Sequence, residues 1–219
     1  MNLIDEYKYR LPNICLITDD PYRVKMIAAH YLDKVNIFTE TRGQVGLIGE
    51  YQNTSLTVLS VGIGITSTRA YLTELCSKNE IKRIVYIGDC ITDDAKLPVG
   101  STVYVSKAYE ADKCFTASGD LLKAIEIIKG KSNIAAEPCV TTTNDNYLIE
   151  KKYDVNKEAR ILDFSTSAIY KLNKNAIKFE SLSILNICEN VVTHERIDEA
   201  VRQSGCNSSI ILALHLLTF

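Results

Sequence analysis

The sequence predicts an α/β domain in which helices flank a central mixed or parallel sheet. Three observations carry this reading. Short apolar runs such as ICLI, RIVYI and SLSILNIC have the length and branched content of strands buried on both faces. Helix-like segments alternate with them, and that interleaving is the pattern of α/β folds. No linker rich in Gly, Ser or Pro divides the 219 residues, so one domain over 1–219 is expected, large enough to bury a sizeable core.

Residues 13–20 (NICLITDD) read as a buried strand ending in acids. Pro21 follows, and Pro fits a first helical turn. A helix over 21–33 then sets Val24, Ile27, Ala28, Tyr31 and Leu32 on one face. Strands are expected over 45–51 and 55–61, around a turn at Gln52-Asn53. GIGITST (62–68) leads into a helix over about 67–78, and strands follow at 82–90 and 100–109. Residues 119–130 make an amphipathic helix with Leu121, Leu122, Ile125 and Ile128 inside. Residues 136–144 read as a strand running into a loop, 159–165 as a strand, 166–175 as a helix and 181–190 as the last strong strand. A final helix is expected over about 196–217, apolar in its second half.

Composition sets limits on function. A formal net charge of -2 excludes a strongly basic nucleic-acid binder, so no nucleic-acid partner is expected. No run approaches the length of a membrane span, and the N-terminus lacks the pattern of a secretory signal. The seven cysteines are odd in number and no pair is spaced CxxC, which reads as reduced thiols in a cytoplasmic protein. Asp19 and Asp20 lack a third clear ligand, so no metal is expected. GIGITST does not spell GxGxxG, which argues against a dinucleotide.

Motifs in a fixed order then carry a resemblance. They are DDPYR (19–23), TRG (41–43) with GEY (49–51), VGIGITST (61–68), IGDC (87–90), LDFSTSAIY (162–170), ENVVTHE (189–195), Arg202-Gln203 and NSSIILAL (207–214). Together they resemble the hexameric purine nucleoside phosphorylase and uridine phosphorylase family over about nine-tenths of the chain. The resemblance implies cleavage of an N-glycosidic bond with phosphate as co-substrate and no further cofactor. It also implies a self-assembled dimer or hexamer whose subunits share sites. Such chemistry needs a cationic cradle for phosphate, a grip on the ribose hydroxyls and an acid for the leaving base.

Residue by residue, the cradle departs from the family. Arg23 matches the first phosphate arginine, and Arg42 matches the arginine lent by a neighbouring subunit. The third arginine falls on Tyr86, the phosphate-bonding hydroxyl on Asp89 and the loop glycine on Asp19. A carboxylate about 4 Å from a phosphate oxygen repels it by roughly 4 kcal/mol at an effective dielectric near 20. The ribose-gripping glutamate pair falls on Asp163 and Ser165, flanking Phe164, and Gly64 borders the same pocket. The base-protonating aspartate falls on Glu189 and its helper arginine on Arg202, which makes a purine the better base. The extra methylene of Glu displaces its carboxyl by about 1.5 Å, where about 1 Å of misplacement can cost 100-fold.

Each residue also has a plain reading. Arg23 and Arg42 are solvated charges, Asp89 caps a turn, Thr193 caps the last helix, and His194 and Cys90 carry no chemistry. On the sharper reading, Asp89 pairs with Arg23 or Arg42. Three functions remain open. One is a degenerate member that binds a nucleoside or nucleobase, or serves as a structural subunit beside an active paralogue. Another is a phosphate-independent nucleosidase with Asp19 or Asp89 as base. The third is a conventional purine nucleoside phosphorylase with an unusual cradle. Simultaneous change at the phosphate, ribose and acid positions favours the first.

Overall fold

The computed structural model describes residues 2–5, 10–150, 152–175, 178–198, 201–202 and 207–219. Its strands are β1 (Ile14–Thr18), β2 (Asp33–Thr39), β3 (Gly46–Tyr51), β4 (Thr54–Ser60), β5 (Arg83–Thr92), β6 (Thr102–Glu110), β7 (Lys113–Thr116), β8 (Glu137–Thr143), β9 (Ile161–Asp163), β10 (Glu180–Asn190) and β11 (Glu195–Arg196). The helices are α1 (Pro21–Tyr31), α2 (Ile65–Lys78), α3 (Gly119–Ser132), α4 (Tyr147–Glu150), α5 (Thr166–Asn175) and α6 (Asn207–Thr218), with a 3-10 turn at Thr41–Gly43.

The strands form a single mixed sheet, as the alternating pattern predicts. β4, β1, β5 and β10 run parallel to one another, and β2 and β3 extend the β4 edge antiparallel. β5 pairs with both β10 and β9, β10 with β6, β6 with β8 and β8 with β9, so five strands close into a ring. Closure removes free edges there, so the backbone groups of β5 and β10 are paired on both sides. β5 is buried at every position after Arg83.

Most elements fall where periodicity places them. Gln52 and Asn53 both take left-handed angles (φ 49 and 63), the geometry of a two-residue hairpin turn between β3 and β4. Asp20 accepts from the Tyr22 N–H at 2.8 Å, capping α1, and Pro21 occupies its first turn. Four elements escape the periodic reading. β2 is exposed over its first five residues and carries no alternating signal. β7, α4 and β11 are too short to show a period.

The expected final helix over 196–217 is corrected. Glu195 and Arg196 form a strand paired to Asn190 and Glu189, and the last helix runs over Asn207–Thr218. Residues 203–206, including Gln203 and Cys206, lie outside the described residues. Thr193 does not cap that helix: its hydroxyl donates to Glu195 at 3.0 Å, within a tight turn where His194 is exposed with φ 58. Most of the apolar half of α6 is buried. The six described cysteines are free thiols. Among the described residues, no helix is long and apolar enough to cross a membrane.

Candidate functional site

The parallel strands β1, β5 and β10 end on one side of the sheet, where ligands of open α/β sheets commonly bind. A cavity of about 270 Å³ lies there, lined by Asp19, Ile63, Asp89, Ile91, Tyr147, Leu148, Phe164, Cys188, Glu189, Arg196, Ile197 and Arg202. Five residues singled out in the sequence therefore share one cavity: Asp19, Asp89, Phe164, Glu189 and Arg202.

Register explains the convergence. Thr18, the last residue of β1, sits opposite Ile87 of β5, so the segments Asp19–Asp20 and Gly88–Asp89 leave the sheet side by side. Arg23 lies in the first turn of α1, and helical side chains lean toward the N-terminus, so its guanidinium reaches back over the strand ends. Nη1 donates to Asp19 Oδ1 at 3.0 Å and to Thr18 Oγ1 at 3.1 Å. Nη2 donates to both oxygens of Asp89 at 3.0 and 3.1 Å. Arg202 adds a third arm, its Nη1 donating to Asp89 Oδ2 at 2.8 Å. Side-chain exposure is 0% for Arg23, 8% for Asp19, 7% for Asp89 and 28% for Arg202.

Two arginines and two aspartates thus form one buried cluster with formal charges that cancel. Charge-assisted contacts of this length are strong, and each ion needs its partner because the surroundings solvate it poorly. Burial is the main reason that the Asp19 carboxyl is pushed up to about 6; Arg23 opposes the rise, and Asp89 and Asp20 add to it.

Tyr86 stands behind this cluster, 2% exposed. Burial, and then the Asp19 carboxylate, hold its phenol well above the ordinary range. Its ring lies over Gly88, where an added Cβ would come within 2.4 Å of the Tyr86 hydroxyl. Only glycine admits that approach, so Tyr86 and Gly88 form a packing unit where the resemblance implies an arginine. Arg42 sits apart from the cluster. It is exposed in a left-handed conformation (φ 57), and among the described residues it forms no ion pair. The expected alternative of an Asp89–Arg42 pair is therefore not met, because Arg23 and Arg202 occupy Asp89.

The ribose and base positions are also rearranged. Asp163 is fully buried and does not line the cavity. It accepts from the N–H groups of Ser165 (2.9 Å) and Thr166 (2.7 Å) and from the hydroxyls of Thr141 (3.1 Å) and Thr143 (2.7 Å). It is the cap of α5. We expect Asp163→Ala to lower unfolding stability by about 2–3 kcal/mol, because four buried donors lose their acceptor. Denaturant unfolding measures this, and a loss under about 0.5 kcal/mol would contradict the cap. Ser165 is buried as well and accepts from the Thr68 hydroxyl at 2.9 Å. Phe164, between them, faces the cavity with its ring 6.5 Å from that of Tyr147.

Glu189 and Arg202 both reach the cavity but are not joined as expected. Glu189 accepts from the Tyr147 hydroxyl at 3.0 Å and lies 3.8 Å from Arg196 Nε, while Arg202 is turned to Asp89. Gly64 takes a left-handed angle (φ 100) that favours glycine as it precedes α2, where Asp145 Oδ2 accepts from the Ile65 N–H at 3.2 Å. Tyr147, Arg196 and Asp145 were not legible as site residues, since a four-residue helix, a two-residue strand and a loop offer no period to read. Among the described residues, no group of three or more metal-ligating side chains forms a metal site.

Comparison with known proteins places this arrangement. The sequence profile of the family described as "Phosphorylase superfamily" matches residues 13–124. A DeoD-type purine nucleoside phosphorylase of Mycoplasma genitalium is 25% identical, the match covering 97% of this chain and 96% of that protein. A DeoD-type enzyme of Buchnera aphidicola is 29% identical, covering 96% of each chain, and one of Bacillus velezensis is 27% identical, covering 98% of each. The crystal structure of a purine nucleoside phosphorylase from Toxoplasma gondii in complex with immucillin-H superposes with a TM-score of 0.82 at 18% identity, covering 94% of this chain and 90% of that one. With half its length inside the family profile and the same fold across nearly all of it, this chain belongs to the phosphorylase superfamily.

Proposed function

We propose that this phosphorylase-like protein holds a nucleoside or nucleobase in the cavity and carries out phosphorolysis poorly or not at all. The observation that carries the reading is Asp89, whose two oxygens take Arg23 and Arg202. The carboxylate stands where an inorganic phosphate would otherwise find its positive partners. Phosphate arriving there meets neutralised arginines and two nearby carboxylates, each repelling it by roughly 4 kcal/mol at about 4 Å.

The remaining machinery fits the same reading. Asp163 and Ser165 are committed to α5 and to Thr68, so neither residue at the ribose-gripping positions faces the cavity. Phe164 and Tyr147 still supply aromatic walls for a base, with Glu189 at its edge. Exposed Arg42 would serve a neighbouring copy, so the reading includes a homo-oligomer, a hexamer on the family's pattern, or assembly with an active paralogue. Free thiols fit a reducing cytoplasm.

A second reading rests on Asp19, whose carboxyl lines the cavity and is pushed up to about 6. That is the range of a general base, and it would activate water in a phosphate-independent nucleosidase. One assay separates the readings: base release from inosine, adenosine and uridine with and without phosphate, beside an active relative. No release from a folded chain that still binds purines is the expected result. Release that persists without phosphate and vanishes in Asp19→Asn would favour the nucleosidase, and efficient phosphate-dependent release would sink the proposal.

A further inference from the structure

The two cluster acids are not held alike. Asp89 is gripped through both oxygens by two arginines. Among the described residues, the side-chain contacts of Asp19 run through Oδ1, to Arg23 Nη1 and the Thr18 hydroxyl, while its carboxyl also lines the cavity. We propose that the cavity contains a proton-gated oxyanion site, in which a tetrahedral oxyanion enters beside Arg202, in front of the buried Arg23, together with one proton taken up by Asp19. The inference rests on the reading that the cluster closes this site at neutral pH, and it names what reopens it.

The groups facing Asp19 set the sign. Arg23 approaches from α1 and Asp20 from the α1 cap, and Asp89 and Tyr86 approach from β5. Arg202 lies beyond Asp89, and Glu189 and Arg196 share the cavity. Burial and the two neighbouring aspartates favour the protonated acid against the pull of Arg23, which places its titration near 6. Below that pH the four-charge cluster moves from zero to +1. The neutral carboxyl also brings an O–H donor where a carboxylate offers acceptors only. Protonation thus removes one repulsion and adds one hydrogen bond in a single step. No covalent bond changes; one proton moves from solvent to Asp19 for each oxyanion bound.

Linkage makes this quantitative. Well above pH 6, uptake of one proton per oxyanion weakens binding about tenfold per pH unit, so affinity at pH 8 falls about 50-fold below that at pH 6, where half of Asp19 is already ionised. Sulfate is the cleaner probe because it stays a dianion over this range; inorganic phosphate forms a second arm. The experiment is calorimetric titration of the full chain with sulfate from pH 5.5 to 8, at constant ionic strength and in buffers of different protonation heat. The expected result is tight binding at low pH and one proton taken up per sulfate at pH 7.5. Asp19→Asn should bind sulfate with a flat pH profile and no uptake. Should that variant fail to fold, the proton count of the unaltered chain decides. Sulfate binding without proton uptake, or no binding at pH 5.5, overturns the gate. Efficient phosphorolysis at pH 7.5 overturns instead the closed-site reading beneath it, so the two failures are told apart.

Discussion

A chain carrying Tyr86→Arg, Asp19→Gly and Asp89→Ser together is expected to bind inorganic phosphate about 100- to 1000-fold more tightly than the unaltered protein. The three changes remove two carboxylates that line the cavity and add one guanidinium behind them, where Tyr86 faces Asp19. Each carboxylate–phosphate contact at about 4 Å is worth roughly 4 kcal/mol at an effective dielectric near 20, and an arginine clamp adds a charge-assisted pair. The full sum will not be realised, because Arg23 and Arg202 lose the partner that now neutralises them and draw in water instead. Tyr86→Arg also lifts the ring from Gly88 and frees the space that the phenol fills. Phosphate titration followed by calorimetry, and by the rise of the thermal midpoint with phosphate, measures the gain. No gain in a folded triple variant would mean that the aspartates do not close the site.

The second large effect is on stability. Asp89→Ala takes from the fully buried Arg23 the carboxylate that accepts both of its Nη2 bonds and strips Arg202 of its described partner in the cluster. Breaking a buried ion pair from one side costs about 3–5 kcal/mol, because the stranded charge is solvated poorly. For a chain of this size that lowers the melting midpoint by roughly 6–20 °C. Added sulfate or phosphate should recover part of the loss by occupying the vacated carboxylate position, whereas the unaltered protein at pH 7.5 should gain little. A change below about 1 kcal/mol would show that water reaches the cluster freely, and the account of a closed cradle would then fail.

Both effects arise from residues far apart in sequence. Arg202 and Asp89 are 113 residues apart, and Arg23 and Asp89 are 66 apart. The motif order pointed to each residue singly, and the charge pattern indicated that Asp89 would seek a guanidinium. It left Arg23 and Arg42 as alternatives, and the choice of Arg23 together with Arg202 belongs to the fold. The same holds for Glu189, read as the partner of Arg202 and found beside Tyr147 and Arg196.

What the sequence determined by itself is local. Apolar runs specify β1 and β5, and a run broken by Ser183 and Asn186 specifies β10; their alternation with helical spacing specifies a mixed α/β domain. Pro21 after Asp20 sets the start of α1, and the Gln52-Asn53 pair sets a hairpin, because these signals act on the backbone within a few residues. Which charges meet was decided by tertiary structure. The register of β1 against β5 sets Asp19 beside Asp89, ring closure brings β10 to the same end of the sheet, and helical residues 201–202 swing Arg202 over Asp89. Those distances depend on pairings between strands distant in the chain, and hydrophobic periodicity carries no information about which distant strands pair.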